Sequence, residues 1–194
     1  MDNKLSPKAA EIVACARSLL VAGGYNSFSY ADISGTVRIS KASIHHHFPS
    51  KAELVRTVVA RYREEARAGM VAMEQQILDP VAQLHAYTGY WAACIRGGSS
   101  PFCICAMLAA ELPAIPGPVA DEVRGHFLDL AAWLTSVLAG GASQGVFFLQ
   151  ASPEAEAMAF MATVHGAMLS ARAYGDPEVF ATVVQPLMHR LTSR

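Results

Sequence analysis

Apolar residues recur at helical spacing along almost the entire chain. Ser6 followed by Pro7 forms an N-cap and first turn, and Ile12, Val13, Ala16, Leu19 and Leu20 then share one face until Gly23 and Gly24 end the run. Ser29 with Asp32 three positions on is an acidic variant of the capping box and predicts a short helix over about 30 to 37. Ser40 caps a third helix of about eight residues, and Phe48-Pro49 stops it because the residue before proline is pushed out of helical geometry. Ser50 with Glu53 opens a long fourth helix that runs to about Ile77. Further helices are predicted at about 80 to 96, 103 to 112, 117 to 139, 153 to 174 and 176 to 192, separated by GGSSP, PAIPGP, AGGASQG and GDP. VFFLQ at 146 to 150 has no partner run for a sheet and is read as the end of a loop or a helical turn. Nine helices without a convincing strand make this an all-α protein.

Composition narrows the class further. In 194 residues a hydrophobic fraction of 53% is ample for a buried core. No apolar run approaches the roughly 20 residues needed to span a bilayer, and MDNKLSPK lacks the apolar centre of a signal peptide, so a cytoplasmic protein with no membrane partner is expected. Cys15, Cys94, Cys103 and Cys105 are too few and too unevenly spaced for a disulfide framework and are read as reduced thiols. The net charge of −1 conceals an asymmetry: residues 1 to 67 carry ten Lys and Arg against six Asp and Glu, and residues 68 to 194 carry five against ten. A basic first third fits one end facing a polyanion.

The second and third helices, joined by a tight turn, read as a helix-turn-helix, whose second helix enters the major groove. Ile44 and Phe48 stand one turn apart and anchor that helix, so at about 100° per residue Ala42 and His46 point most directly outward. Ser43 and His45 flank them, with Lys41 and His47 at the margins. A small residue beside polar donors suits close approach to base edges, and histidine can donate, accept or pair with phosphate. The run His45-His46-His47 invites a metal reading, but adjacent residues on a helix diverge too far to share an ion. Neither a metal nor a cofactor is expected.

Residues 11 to 56, with the "ADI" helix, the "SKASI" start and "HFPSKAEL", resemble the DNA-binding domain of the TetR family of bacterial transcriptional regulators. The resemblance implies a DNA-binding domain over 1 to 56 and an effector-binding and dimerisation domain over 57 to 194. It further implies phosphate contacts from Ser29 and Tyr30, groove contacts from Lys41, Ala42, Ser43, His45 and His46, and a backbone grip from His47 and Lys51. The sequence departs from the family pattern where Arg38 replaces a usual glycine and His45 a usual aromatic. Gly35 also sits inside the second helix, where it costs about 1 kcal/mol against alanine.

From the same resemblance, the partners are a double-stranded DNA operator, a small-molecule effector and a second copy of the chain docked through the last two helices. Ala157, Met161, Val164, Ala167, Met168 and Ala171 recur at helical spacing and are candidates for that dimer face. Tyr87, Trp91, Met107, Phe127, Trp133, Met161 and His165 offer an aromatic and thioether lining with few charges, suited to an apolar or weakly polar effector. The expected activity is that of a repressor released from a palindromic operator by such a ligand, with no enzymatic role, since no nucleophile elbow, HExxH or phosphate loop is present. The alternative is a thiol-based sensor of electrophiles or oxidants using Cys103. Both Cys103 and Cys105 fall at the expected start of the sixth helix, where unpaired N–H groups stabilise a thiolate.

Overall fold

The computed structural model describes residues 5–98 and 102–193, so part of the predicted GGSSP linker lies outside the described residues. Among the described residues the chain forms nine α-helices and no strand. These are α1 (Pro7–Gly23), α2 (Tyr30–Val37), α3 (Lys41–His47), α4 (Lys51–Gln76), α5 (Pro80–Gly97), α6 (Ile104–Ala109), α7 (Gly117–Ser143), α8 (Pro153–Tyr174) and α9 (Glu178–Thr192). A single 3-10 turn, Tyr25–Ser27, lies between α1 and α2.

The caps read from the sequence do the work expected of them. Ser6 and Ser40 each accept a backbone N–H three residues on; beyond those, Ser152 caps α8 in the same way and Asp79 caps α5 through the Val81 N–H. At α2 the box is reciprocal, with Asp32 accepting from the Ser29 N–H at 2.7 Å.

Two helices depart from expectation. The sixth is only six residues long: beyond Ala109 the Glu111 and Leu112 N–H groups bond three residues back, to Leu108 and Ala109, in tight turns, and Pro113 has no N–H to carry the helix on. The seventh continues through Gly140 and Gly141 to Ser143, since the absent Cβ of Gly141 leaves room for the Phe147 ring against the helix. The VFFLQ segment is indeed a loop, and its Phe148 N–H donates to the Leu191 carbonyl at 2.8 Å.

The described residues divide into two compact units. Residues up to Glu64 join Cys103–His126 in the first, and the remainder form the second, with α4 and α7 each contributing to both. In the first unit α1 packs on α2, α3 and α6, around Ile12, Leu20, Ile33, Ile44 and Leu54, all fully buried. In the second, α8 lies along α9, and α5 also packs on α9. Phe160 and Phe180 are fully enclosed there, each contributing about 2–3 kcal/mol of hydrophobic stabilisation.

Candidate nucleic-acid interface and effector domain

The third helix is presented as its sequence pattern requires. Ile44 is fully buried and Phe48 nearly so, which fixes the helix by one face, while Lys41, Ala42, His45 and His46 are exposed and Ser43 and His47 half-exposed. The turn before it is set by Arg38, whose backbone is left-handed at φ 56°, the conformation for which glycine is the usual choice. Ser34 Oγ holds that turn by donating to the Ile39 carbonyl at 2.6 Å.

Ser29 remains exposed at the start of α2, its hydroxyl shared between the Ala31 N–H and the Asp32 carboxylate. The hydrogen bonds from Ser29 hold the Asp32 carboxyl below its ordinary range.

Two of the expected phosphate contacts are corrected. The Tyr30 ring is buried and its hydroxyl donates to the Phe48 carbonyl at 2.8 Å, so this side chain staples α2 to the end of α3 instead of facing DNA. Burial, reinforced by Glu53 and Tyr25, pushes its pKa up to about 12. Lys51 likewise turns inward: its ammonium donates to the Phe28 carbonyl and sits over the Tyr25 and Phe28 rings at 4.7 and 4.3 Å. Partial burial lowers its pKa. His45 keeps its exposure but leans edge-on against Tyr30, with ring centroids 4.7 Å apart and Nδ1 3.2 Å from the Pro49 carbonyl oxygen. His46 and His47 stand edge to face at 5.5 Å.

The first unit also contains a polar cluster that sequence reasoning missed. Tyr62 Oη donates to Cys103 Sγ at 3.3 Å, and Cys103 Sγ lies 3.8 Å from His126 Nε2. All three residues are buried, with Arg17 over the outer face of the Tyr62 ring at 5.3 Å. Beside them Arg63 pairs with Glu122 at 3.2 Å, and its guanidinium occupies the space that a Cβ on Gly125 would need. Of its members the sequence singles out only Cys103; Tyr62 and Arg63, successive positions on a long polar helix, give no sign there of their partners.

The cysteines are corrected accordingly. Cys103 precedes α6 as its N-cap residue, and both it and Cys105 are fully buried. Burial, with the Cys103 thiol beside it, pushes the Cys105 thiol well above its ordinary value, opposite to the activation expected of a helix start.

The candidate effector residues are likewise split. Cys103 and Met107 belong to the first unit, and Tyr87, Trp91, Phe127, Trp133, Met161 and His165 to the second. Within the second unit Tyr87 meets Trp133 at 5.5 Å and Phe160 at 6.4 Å, and Phe127 meets His165 edge-on at 5.3 Å. Tyr87, Trp91 and Trp133 are buried, whereas Phe127, Met161 and His165 are half-exposed. The Trp91 and Trp133 indole N–H groups and His165 Nε2 are buried without a hydrogen-bond partner among the described residues. A separate groove of about 730 Å³ runs between α5, α9 and the 145–148 loop, lined in part by Val81, His85, Phe180, Val184 and His189; none of the candidate effector residues lines it.

The strip of α8 expected to form the dimer face is mostly buried within the protomer. Ala157, Val164, Ala167, Met168 and Ala171 are buried against their own chain, and Met161 is half-buried. The exposed strip is instead Met158, Ala159, Ala162, Gly166, Leu169 and Ala173, with Met158 57% and Leu169 58% exposed.

A helix-turn-helix with an outward-facing second helix, followed by a larger all-helical region, is the architecture of a DNA-binding regulator with a second, helical domain. Residues 12–58 match the family described as bacterial regulatory proteins, tetR family, and residues 80–187 match the tetracyclin repressor-like C-terminal domain. The chain belongs to the TetR family, whose members are ligand-responsive DNA-binding transcriptional regulators and not enzymes. It is 54% identical to a TetR-family transcriptional regulator from Agrobacterium tumefaciens, with a TM-score of 0.94 over 96% of this chain and 98% of that one. A TetR regulator from Legionella pneumophila shares the fold at 24% identity and a TM-score of 0.85, over 97% and 99% of the two chains. A transcriptional regulator from Saccharomonospora viridis, solved in complex with choline, does so at 19% identity and 0.82, over 98% and 100%. No curated protein matches the sequence.

Proposed function

We propose that the chain is a cytoplasmic, homodimeric repressor that reads a palindromic operator through α3 and leaves it when a small apolar or weakly polar effector binds. The observation that carries this reading is the division of α3 into a buried face, Ile44 with Phe48 beyond it, and an exposed one, Lys41, Ala42, His45 and His46. A helix held so firmly by one side, with small and hydrogen-bonding residues on the other, is built to meet base edges. Ser29, Ser43 and His47 flank that face and supply further hydrogen-bonding groups.

A dimer suits both ends of the molecule. Two recognition helices about one DNA turn apart read a palindrome that a single helix would hold weakly. The exposed strip of Met158, Ala162, Gly166 and Leu169 on α8 offers apolar surface and close backbone approach to a second copy. Residues 1–56 then read DNA and 57–194 bind effector and dimerise. The aromatic pairs Tyr87–Trp133 and Phe127–His165, with buried Trp91, support an effector with an apolar body, and the buried indole N–H groups would favour one bearing an acceptor.

A thiol-based reading of the same regulator rests on the contact of Cys103 with Tyr62 and His126, which couples any change at sulfur to α4 and α7. Selection of bound DNA from a random pool, followed by screening of metabolites for release, tests the main reading; failure to enrich any sequence would overturn it. Release by a mild electrophile from wild type but not from Cys103→Ser would favour the thiol reading instead.

A further inference from the structure

Arg38 is the only residue other than glycine with positive φ among the described residues. That conformation crowds a Cβ against the following carbonyl, and glycine or asparagine adopts it at lower cost. Among the described residues no contact of the Arg38 side chain offsets the strain. The side chain is exposed, and among the described residues the guanidinium has neither an ion-pair nor a hydrogen-bond partner. The turn is imposed by its own backbone, where the Arg38 N–H donates to the Ser34 carbonyl and Ser34 Oγ to Ile39, so a glycine would serve it equally well. A long cation kept at a position that disfavours any Cβ points to a task outside the protomer.

The position indicates that task. Arg38 lies two residues before Ser40, the cap of α3, and three before Lys41, and both cations are exposed. It precedes the helix that enters the groove, so its reach is to the backbone beside the groove and not to base edges. We infer that Arg38 grips an operator phosphate and thereby fixes the register of α3, a contact beyond those of Ser29, Lys41, Ala42, Ser43 and the three histidines. The inference rests on the DNA-reading function proposed above.

The test uses the full-length protein and an operator selected with wild type, measuring affinity over a range of salt together with thermal unfolding. Arg38→Gly should raise the melting temperature by about 2–4 °C through relief of the turn. The same change should weaken operator binding by about tenfold and flatten the salt dependence by about one phosphate per protomer. Arg38→Gln should lose the same affinity and slope without the thermal gain. Arg38→Lys, which keeps a point charge that a phosphate accepts, should stay within about threefold of wild type. If Arg38→Gly gains stability while affinity and salt slope stay at wild-type values, the phosphate contact is overturned, as it is if Arg38→Lys behaves like Arg38→Gln. A wild-type protein that selects no DNA at all would overturn the DNA-reading function itself, and this contact with it.

Discussion

The Glu111 carboxylate accepts a hydrogen bond from the Tyr25 backbone N–H at 2.6 Å, although the two residues lie 86 positions apart. Their approach depends on Gly24, whose φ of 82° suits glycine and whose missing Cβ would otherwise stand 2.5 Å from Glu111 Oε2. The segment after α6 is thereby clamped to the turn that leads into α2, on the path to the recognition helix.

Removing that clamp should loosen the turn. Glu111→Ala is expected to cost about 1–3 kcal/mol, the price of a charge-assisted hydrogen bond to a part-buried N–H. Operator affinity should fall with it, because α2 and α3 lose a fixed point of entry. Denaturant unfolding and operator titration of the same variant check both, and an unmoved midpoint would show that the bond contributes nothing.

The inward turn of Tyr30 separates two kinds of variant at the DNA surface. Tyr30→Phe removes the hydrogen bond to Phe48 and should lower stability by about 1 kcal/mol while leaving the salt dependence of operator binding unchanged. Replacing His45 and His46 with alanine should do the reverse, abolishing specific binding with helicity retained. Circular dichroism and operator binding on the two variants decide whether the roles divide in this way.

Acid sensitivity should arise at the joint of α8 and α9. Arg190 Nη2 pairs with Glu156 Oε2 at 2.8 Å, and Glu156 Oε1 accepts the Gln150 N–H at 3.0 Å. The Arg190 guanidinium, against a smaller opposing effect of burial, holds the Glu156 carboxyl below its ordinary value of 4.5, and Glu156 reciprocally raises Arg190. A carboxylate with a lowered folded-state pKa stabilises the protein above its unfolded pKa, and that stability is lost as pH falls through the folded value. Wild type should therefore exceed Glu156→Gln in stability at pH 7 by about 1–3 kcal/mol, with the gap closing as pH falls below about 4.5. Parallel unfolding curves across that range would rule the pair out as a source of acid sensitivity.

Leu169→Glu places a charge on the exposed strip of α8. Because the side chain is 58% exposed in the protomer, unfolding of the single chain should change by no more than about 0.5 kcal/mol. Sedimentation should nevertheless report monomer where wild type is dimer, and operator affinity should drop. A variant that remains dimeric would move the interface elsewhere.

Local chemistry determined the order of helices and most of their starts. Ser6, Ser29, Ser40, Asp79 and Ser152 cap from within three residues, so their effect is legible without tertiary information. The outward face of α3 followed from the same short-range geometry, because Ile44 and Phe48 can be buried only by turning Lys41, Ala42, His45 and His46 away. Periodicity could not say which of two apolar strips on α8 meets its own chain, since both Ala157 with Val164 and Met158 with Leu169 repeat at helical spacing. The tertiary packing of the protomer decided it, burying Ala157 and Val164 and leaving Met158 and Leu169 exposed. Nor could it reveal that Tyr30 and Lys51 turn inward, or that Cys103 meets Tyr62 across 41 positions and His126 across 23. Those facts depend on which helices share a core, and a side chain's partner across such distances is set by the packed whole and not by its neighbours in sequence.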